Sequence, residues 1–341
     1  MGDQSATTSQ TGGDPVGERV AKLTVLVNAA AGSVDDAALA ADLDAIREAF
    51  AAADPSVDVV VDAVEPDRLG DTMRTMWAGP DRPDAIVVAG GDGTVNCAAD
   101  AAVGSDLVLG VLPRGTFNHF AKDLGLPADD LTASARALVT GVVRQVDVAE
   151  VNGRAFVNNS VLGVYPDMVA IRDQIRDERG WGKVRAVPVA AWRVLRAFPI
   201  HRLDLVGPDF VRHRVRTPLV FIGNGTYGDH DAEGPVARAS LDDGVLDVAV
   251  ARVISRWRLV TTVVQALVSG GEASRDLDRT SLTEVTVTAH RHHLRVALDG
   301  EIVWLESPLR YRLRPRALNV LAPPTPDQVT TEPADEPDSG A

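Results

Sequence analysis

The chain has a single cysteine, Cys97, in 341 residues, so no internal disulfide can form and nothing suggests a secreted fold held by disulfides. Cys97 itself reads as a small buried hydrophobe. No uninterrupted apolar stretch reaches about 18 residues, so no membrane-spanning helix is expected. The opening "MGDQSATTSQTGGDPVGERV" lacks the basic-then-apolar order of a secretory signal, and Ala6 stands where N-myristoylation needs Ser or Thr. Positive charge is scarce: the formal net charge is -14, which argues against general nucleic-acid binding. There is no internal repeat. These absences lead to the expectation of a cytoplasmic protein, one still able to touch a membrane surface.

What is present is ordinary for a globular protein, with 45% hydrophobic and 24% charged residues and enough length for two domains. Residues 1–20 are polar and rich in Gly, Ser and Thr, and read as a disordered tail. Residues 323–341 read as an acidic tail; the last twenty residues hold five acids and no Lys or Arg. Between the tails, residues 21–143 alternate strand and helix. "KLTVLVNAAAG" is a buried strand breaking at Asn28 to Gly32, and "DDAALAADLDAIREAFAAA" puts Leu39, Leu43, Ile46 and Phe50 on one helix face. Such alternation gives a parallel sheet with helices on both faces and ligands at the strands' carboxyl ends. Residues 144–322 turn to short strands separated by Gly, Asp and Pro, as in a β-sandwich, interrupted by helical stretches near 169–197 and 256–269. Among them "PLRYRLRP" and "ALNVLAP" read as separate strands, with the last ones free to rejoin the first domain. The cleft between the domains is the default site.

"VVAGGDGTVNCAAD" turns sharply after an apolar strand. Gly90, Gly91 and Gly93 allow a tight turn and close backbone approach to a ligand. A helix starting at "VNCAADAAV" would aim unpaired N–H groups at the loop, which suits a phosphate. Asp92 beside a phosphate makes sense with Mg²⁺ or a hydroxyl proton between them. The plainer alternative makes Asp92 a helix cap. Thr94 either caps the helix or donates to phosphate. The motif lacks the Lys-Ser/Thr ending of a P-loop and the spacing of the dinucleotide fingerprint. A second turn, "GVLPRGTFNHFAKDLGLP", offers Gly115, Thr116 and Asn118 after a neighbouring strand. A third, "VALDGEIVWLESPL", flanks Gly300 with Asp299 and Glu301, and by itself is also an ordinary hairpin turn.

Together "GGDGTVN", "LPRGTFNHFAKDLGLP", "VNNSVLGVYPD", "GNGTYG", "LDDGVLDVAV" and "LDGE…PLRYRLRP" resemble the diacylglycerol kinase catalytic-domain family, which includes sphingosine, ceramide and bacterial lipid kinases. The resemblance covers roughly residues 22–322. It implies a phosphofructokinase-like α/β nucleotide domain followed by a mostly antiparallel β-sandwich, and transfer of the ATP γ-phosphoryl group to a lipid hydroxyl, diacylglycerol-like. By resemblance, Gly90, Gly91, Gly93 and Thr94 hold the nucleotide phosphates, Asn28 and Gly32 line the same pocket, and Gly115, Thr116 and Asn118 build the opposite wall. Asp299 is the choice for general base and Glu301 organises catalytic Mg²⁺. Asp92 acts on Mg²⁺ or as the rival base. Asp243, in "LDDGVLD", resembles a structural Mg²⁺ ligand, with a plain Asp-Gly turn as the alternative. Many members carry Glu where this chain has Cys97. NAD kinases and sugar-phosphate kinases share the first loop, and a silent lipid-binding protein is the remaining alternative.

From Arg172 to Arg216 eleven Lys and Arg face five Asp and Glu, a net of +6 in an acidic chain. With Trp181 and Trp192 among these cations, the stretch is expected to lie on an anionic membrane surface, or else to pack on the β domain with its arginines solvated. The lipid's identity and the oligomeric state, a homodimer included, are not legible in the sequence.

Overall fold

The computed structural model describes residues 20–30, 36–163, 166, 200–208, 210–227, 238–252 and 277–324. Gly32, residues 1–19 and 325–341, residues 172–199 of the basic stretch and the helical stretches expected near 169–197 and 256–269 lie outside the described residues.

The first half runs β1 (Lys22–Asn28), α1 (Asp36–Ala53), β2 (Asp58–Val64), α2 (Leu69–Ala78), β3 (Ala85–Gly90), α3 (Asp92–Ala102), β4 (Val108–Pro113), α4 (His119–Asp123) and α5 (Leu131–Val139). Strands β2, β1, β3 and β4 pair in parallel in that order. All six residues of β3 are buried, as expected of a parallel strand covered on both faces. The covering helices bury one stripe each: Ile46 and Phe50 on α1, and Leu69, Met73 and Trp77, four apart, on α2. The sequence reading placed no element at α5. Its overlooked signal is Asp130, whose carboxylate caps the helix by accepting from Ala133 N at 2.9 Å.

The second half adds β5 (Val142–Val151), β6 (Arg154–Phe156), β7 (Asn159–Gly163), β8 (His201–Gly207), β9 (Phe210–Thr217), β10 (Leu219–Asn224), β11 (Leu246–Ala251), β12 (Leu277–Leu282), β13 (Glu284–Ala289), β14 (His293–Leu298), β15 (Glu301–Glu306) and β16 (Leu309–Ala322). Strands β12, β11, β10, β7, β14 and β15 form a six-stranded antiparallel sheet. Its inner face meets β8, β13 and the start of β16 over a second core, where Leu162, Val220, Ile222 and Val296 face Leu205, Val287, Leu309 and Tyr311. Tyr311 Oη and Ser160 Oγ join the two sheets by a buried hydrogen bond of 3.0 Å.

One strand unites the two halves. The stretch read as two strands is the single 14-residue β16. Leu309–Arg312 pair with β13, while Asn319 and Val320 pair in parallel with β4. The sequence suggested a break because Pro315 and Arg316 sit in the middle. The register does shift between Arg314 and Leu318, and Arg316 has a left-handed φ of 49°. The buried carboxylate of Asp147 bridges this irregularity, accepting from Arg316 N and from Gly244 N, each at 2.8 Å. Leu318, Val320 and Leu321 therefore lie in the first core.

Leu321→Ala should lower stability by about 2–5 kcal/mol through the cavity it leaves. Tyr311→Phe, which removes only the hydroxyl bridge, should cost about 1 kcal/mol. Urea denaturation reads both. A Leu321→Ala effect no larger than that of Tyr311→Phe would contradict the place of β16 in the first core.

Candidate active site

Strand β3 ends at Gly90, and a Cβ there would lie 2.4 Å from Thr94 Oγ1, so only glycine lets the chain fold back. The helix begins earlier than the sequence reading had it, at Asp92 rather than Val95, with Gly91 as N-cap. Two glycines suffice for the turn, and Val95 N already donates to Gly91 O at 3.1 Å. Thr94 is thus neither cap nor loop. It is buried in the first helical turn and accepts Asn28 Nδ2 at 2.8 Å, tying the end of β1 to the glycine turn. Cys97 is exposed, contrary to the expectation of burial. The buried face of α3 carries Val95, Ala98, Ala99 and Ala102, and position 97 falls off that stripe. Burial of part of the side chain, then Asp100 and Glu301, push its thiol pKa up.

The second turn closes on itself. Asn118, at φ 51°, accepts Gly115 N at 2.8 Å and donates to Gly115 O at 2.9 Å. A Cβ on Gly115 would come within 2.6 Å of Gly91 Cα, so the two turns touch backbone to backbone. Asp92 Oδ1 accepts His119 N at 2.9 Å, and Arg114 N donates to Gly90 O at 2.9 Å. Thr116 and Phe117 are exposed at this edge, and the Phe117 ring stacks on His119 with centroids 5.6 Å apart.

The third turn joins β14 to β15 through Asp299 and Gly300, both at positive φ. It separates its two carboxylates. Asp299 is buried, with Oδ2 accepting Val157 N and Oδ1 accepting Asn158 N and Asn159 N, all at 2.9 Å. In the orientation that satisfies its neighbours, the Asn96 amide of α3 also donates to Asp299 Oδ2, at 3.0 Å. Burial pushes the Asp299 pKa up to about 6, against the downward pull of the three N–H donors. Glu301 is exposed and reaches the first turn of α3: a Cβ on Gly93 would lie 2.4 Å from its Oε1. Asn28, Gly90, Gly91, Asp92, Gly93, Thr94, Gly115, Thr116, Asn118, Asp299 and Glu301 are thus gathered around the carboxyl ends of β1, β3 and β4 and the β14–β15 turn. Asp243 belongs to another group, its Oδ2 accepting Thr226 N at 2.8 Å. Among the described residues, no three His, Cys, Asp or Glu side chains cluster as a metal cage.

The sequence reading missed Arg238. Its side chain is 1% exposed and pairs with Asp123 of α4 at 2.8 Å. It also donates to Val157 O at 2.6 Å and Asn224 O at 3.0 Å, gripping the turn whose N–H groups hold Asp299. Tyr227 Oη donates to Asn158 O at 2.9 Å on the same turn. Burial pushes the Asp123 pKa up, and Arg238 counters only part of that rise. No motif marks Arg238. The usable signal was Asp123, an acid at the C-terminal end of a helix, where the dipole disfavours it and a cation is wanted.

Two family descriptions match the chain: the diacylglycerol kinase catalytic domain over residues 22–151, and the YegS C-terminal NAD kinase beta sandwich-like domain over residues 171–322. A diacylglycerol kinase of Mycobacterium tuberculosis is 30% identical over 250 residues, 70% of this chain and 77% of that protein. The chain belongs to the diacylglycerol kinase catalytic-domain family. A diacylglycerol kinase of Bacillus subtilis is 43% identical over a shorter region of 77 residues, 22% of this chain and 25% of that protein. A diacylglycerol kinase structure from Bacillus anthracis shares the fold with a TM-score of 0.63 at 21% identity, covering 92% of this chain and 100% of that one. As a member of this family the chain is a kinase.

Gly115→Ala should force the two glycine turns apart and, if they form the nucleotide site, weaken nucleotide binding while leaving the circular dichroism spectrum intact. Calorimetric titration with nucleotide checks this; unchanged affinity would mean that the contact of the turns is dispensable. Arg238→Met leaves Asp123 buried without its cation and should cost about 3 kcal/mol at neutral pH. The ion-pair part of the Arg238 contribution requires ionised Asp123, so it is present above the Asp123 pKa and fades as pH falls through it, while the bonds to Val157 O and Asn224 O persist. The gap in urea midpoint between variant and parent should therefore narrow on acidification.

Proposed function

We propose that the protein transfers the γ-phosphoryl group of ATP to the hydroxyl of a diacylglycerol-like lipid, in a Mg²⁺-dependent reaction. The observation that carries this is the convergence of the turns "GGDGT", "PRGTFN" and "LDGE". The start of α3 offers N–H groups without intrahelical partners, suited to nucleotide phosphates. Gly91 and Gly115 let the first two turns pack backbone to backbone, which brings both loops to one edge of the sheet.

The donor set fits magnesium. Asp92 gives only Oδ1 to a protein N–H, and the Glu301 carboxylate accepts no hydrogen bond from the described residues. Two carboxylates without a third suit an ion that usually keeps waters and shares its shell with substrate phosphates. Bound there, Mg²⁺ would neutralise charge developing on the transferred group. Asn28 holds Thr94 and so keeps the first turn of α3 in place, while Asn118 holds the opposing wall.

Two carboxylates compete to accept the hydroxyl proton. A pKa of about 6 suits Asp299 to proton acceptance near neutrality, although its oxygens already receive four donors. Asp92 keeps one oxygen without a protein donor among the described residues, which supports the rival assignment. The basic, tryptophan-bearing stretch 172–216 supports peripheral attachment to an anionic membrane.

Labelled γ-phosphate should pass from ATP to lipid, and chelation of divalent cations should stop it. Asp92→Asn and Glu301→Gln should each lower turnover by roughly 100-fold or more. Label appearing in NAD or a sugar phosphate, with none in lipid, would overturn the reading. In the pH profile of kcat, loss of an acidic limb near pH 6 in Asp299→Asn identifies Asp299 as the base. A retained limb with lowered kcat leaves that role to Asp92.

A further inference from the structure

The sandwich has a second end, away from the three turns. Strand β7 begins at Asn159, whose N–H holds Asp299, and ends at Gly163, which lines a cavity of about 200 Å³. Strand β14 runs the other way, from His293 at the cavity to Leu298 beside Asp299. At about 3.3 Å per residue the cavity is roughly 13 Å from the Asp299 turn. Its floor is apolar, with Leu162, Leu203, Val220 and Leu294 all buried. Its rim carries two arginines, Arg291 and Arg295, and two histidines, His201 and His293. Trp304 stands 60% exposed on this rim, with the Arg295 guanidinium 4.8 Å from its ring centre. At 200 Å³ the space is below the roughly 300–1,000 Å³ of pockets that enclose a whole drug-sized ligand, so it suits a headgroup.

Charge here runs against that of the chain. The exposed turn from His290 to His292 carries Arg291 and two histidines, and the next residue, His293, faces the Glu306 carboxylate of β15 at 3.6 Å. On the adjoining pair β8–β9, Arg202 and Arg216 lie directly opposite one another, exposed on the other face of the sheet from the cavity-lining His201, Leu203 and Thr217. Like charges in that register cost stability and gain from an anionic partner. The chain leaves the cavity at Gly163 and returns to it at His201, and the sequence between is itself basic and carries two tryptophans. Exposed tryptophan beside arginine is the pairing that settles at a lipid–water interface.

We propose that this end of the sandwich docks on an anionic bilayer, with Trp304 at the headgroup level and the cavity receiving the phosphate of one lipid. The inference rests on the membrane part of the proposed function and assigns the contact to the β13–β14 turn and β15. Docking would hold the enzyme at the surface from which its lipid substrate comes.

The test is co-sedimentation of the full chain with phosphatidylcholine vesicles, with and without phosphatidylglycerol, together with lipid phosphorylation in detergent micelles. The parent should bind only the anionic vesicles, and inorganic phosphate should not release it. Arg291→Glu combined with Trp304→Ala should weaken binding roughly tenfold or more and leave micellar activity unchanged. Arg136→Glu, an equivalent reversal on α5, should bind like the parent. Equal binding by the double variant, equal loss in Arg136→Glu, or release by inorganic phosphate would each overturn the proposal. Parental binding that is lost in the double variant, with no lipid phosphorylated in micelles, would sink the kinase reading and leave the docking face standing.

Discussion

Four donors converge on the carboxylate of Asp299, and they come from two different parts of the chain. Three are backbone N–H groups of the turn between β6 and β7 and the first residue of β7, and the fourth is the amide of Asn96 on α3. A buried carboxylate held this way is costly to move, because any displacement strands a charge in a low-dielectric interior. The consequence is positional. The β14–β15 turn is fixed against the helix that opens with Asp92, and Glu301, two residues on, is delivered to the first turn of that helix. Asp100, further along α3, adds a second tether by accepting Ala155 N at 3.0 Å. The sandwich supplies one carboxylate of the site and the α/β half the other, so their spacing depends on this junction.

The strand β16 makes the junction rigid at longer range. Because one strand enters both cores, the sheet cannot hinge there without breaking pairs to β4, β5 or β13. Asp147 stabilises the irregular point of β16, and Asn224 joins its carbonyl to that of Val157, so the bulge and the Asp299 turn share a hydrogen-bond network. Arg238 extends this network to α4 through Asp123. Glycine turns with no side chains of their own are thereby held between polar side chains that are themselves buried.

Much of this was legible locally. The run Ala85–Gly90 followed by glycines announces a buried parallel strand and its turn, since both burial and backbone freedom are written into residue type. Asp299 and Glu301 were recognisable as a pair, but their opposite exposures were not, because a two-residue turn sends neighbouring side chains to different environments. The start of α3 was misread because the glycines of "GGDGT" look like loop throughout, whereas only the first two serve the turn. Cys97 was misread because residue type suggests burial while helical phase decides it. Pro315 hid the continuity of β16, which depends on Asp147 some 170 positions away in sequence; the Arg316 N bond to it spans 169. Arg238 was invisible for the same reason: its partners Asp123, Val157 and Asn224 converge only in the folded chain.

The electrostatics of the site give the arrangement its direction. Asp92 and Glu301 add negative charge beside the first turn of α3 in a chain already at -14, and among the described residues Arg238 is committed to Asp123 and two carbonyls. The effect reaches Cys97, where Glu301 and Asp100 add to burial in raising the thiol pKa. The helix N-terminus offers only partial positive charge in return. A phosphate chain alone would be repelled by the two carboxylates, and a cation alone would meet the partial charge of the N–H groups. A cation carried together with phosphate satisfies both at once, and this supports reading the site as one built for a metal–nucleotide pair rather than for either component separately.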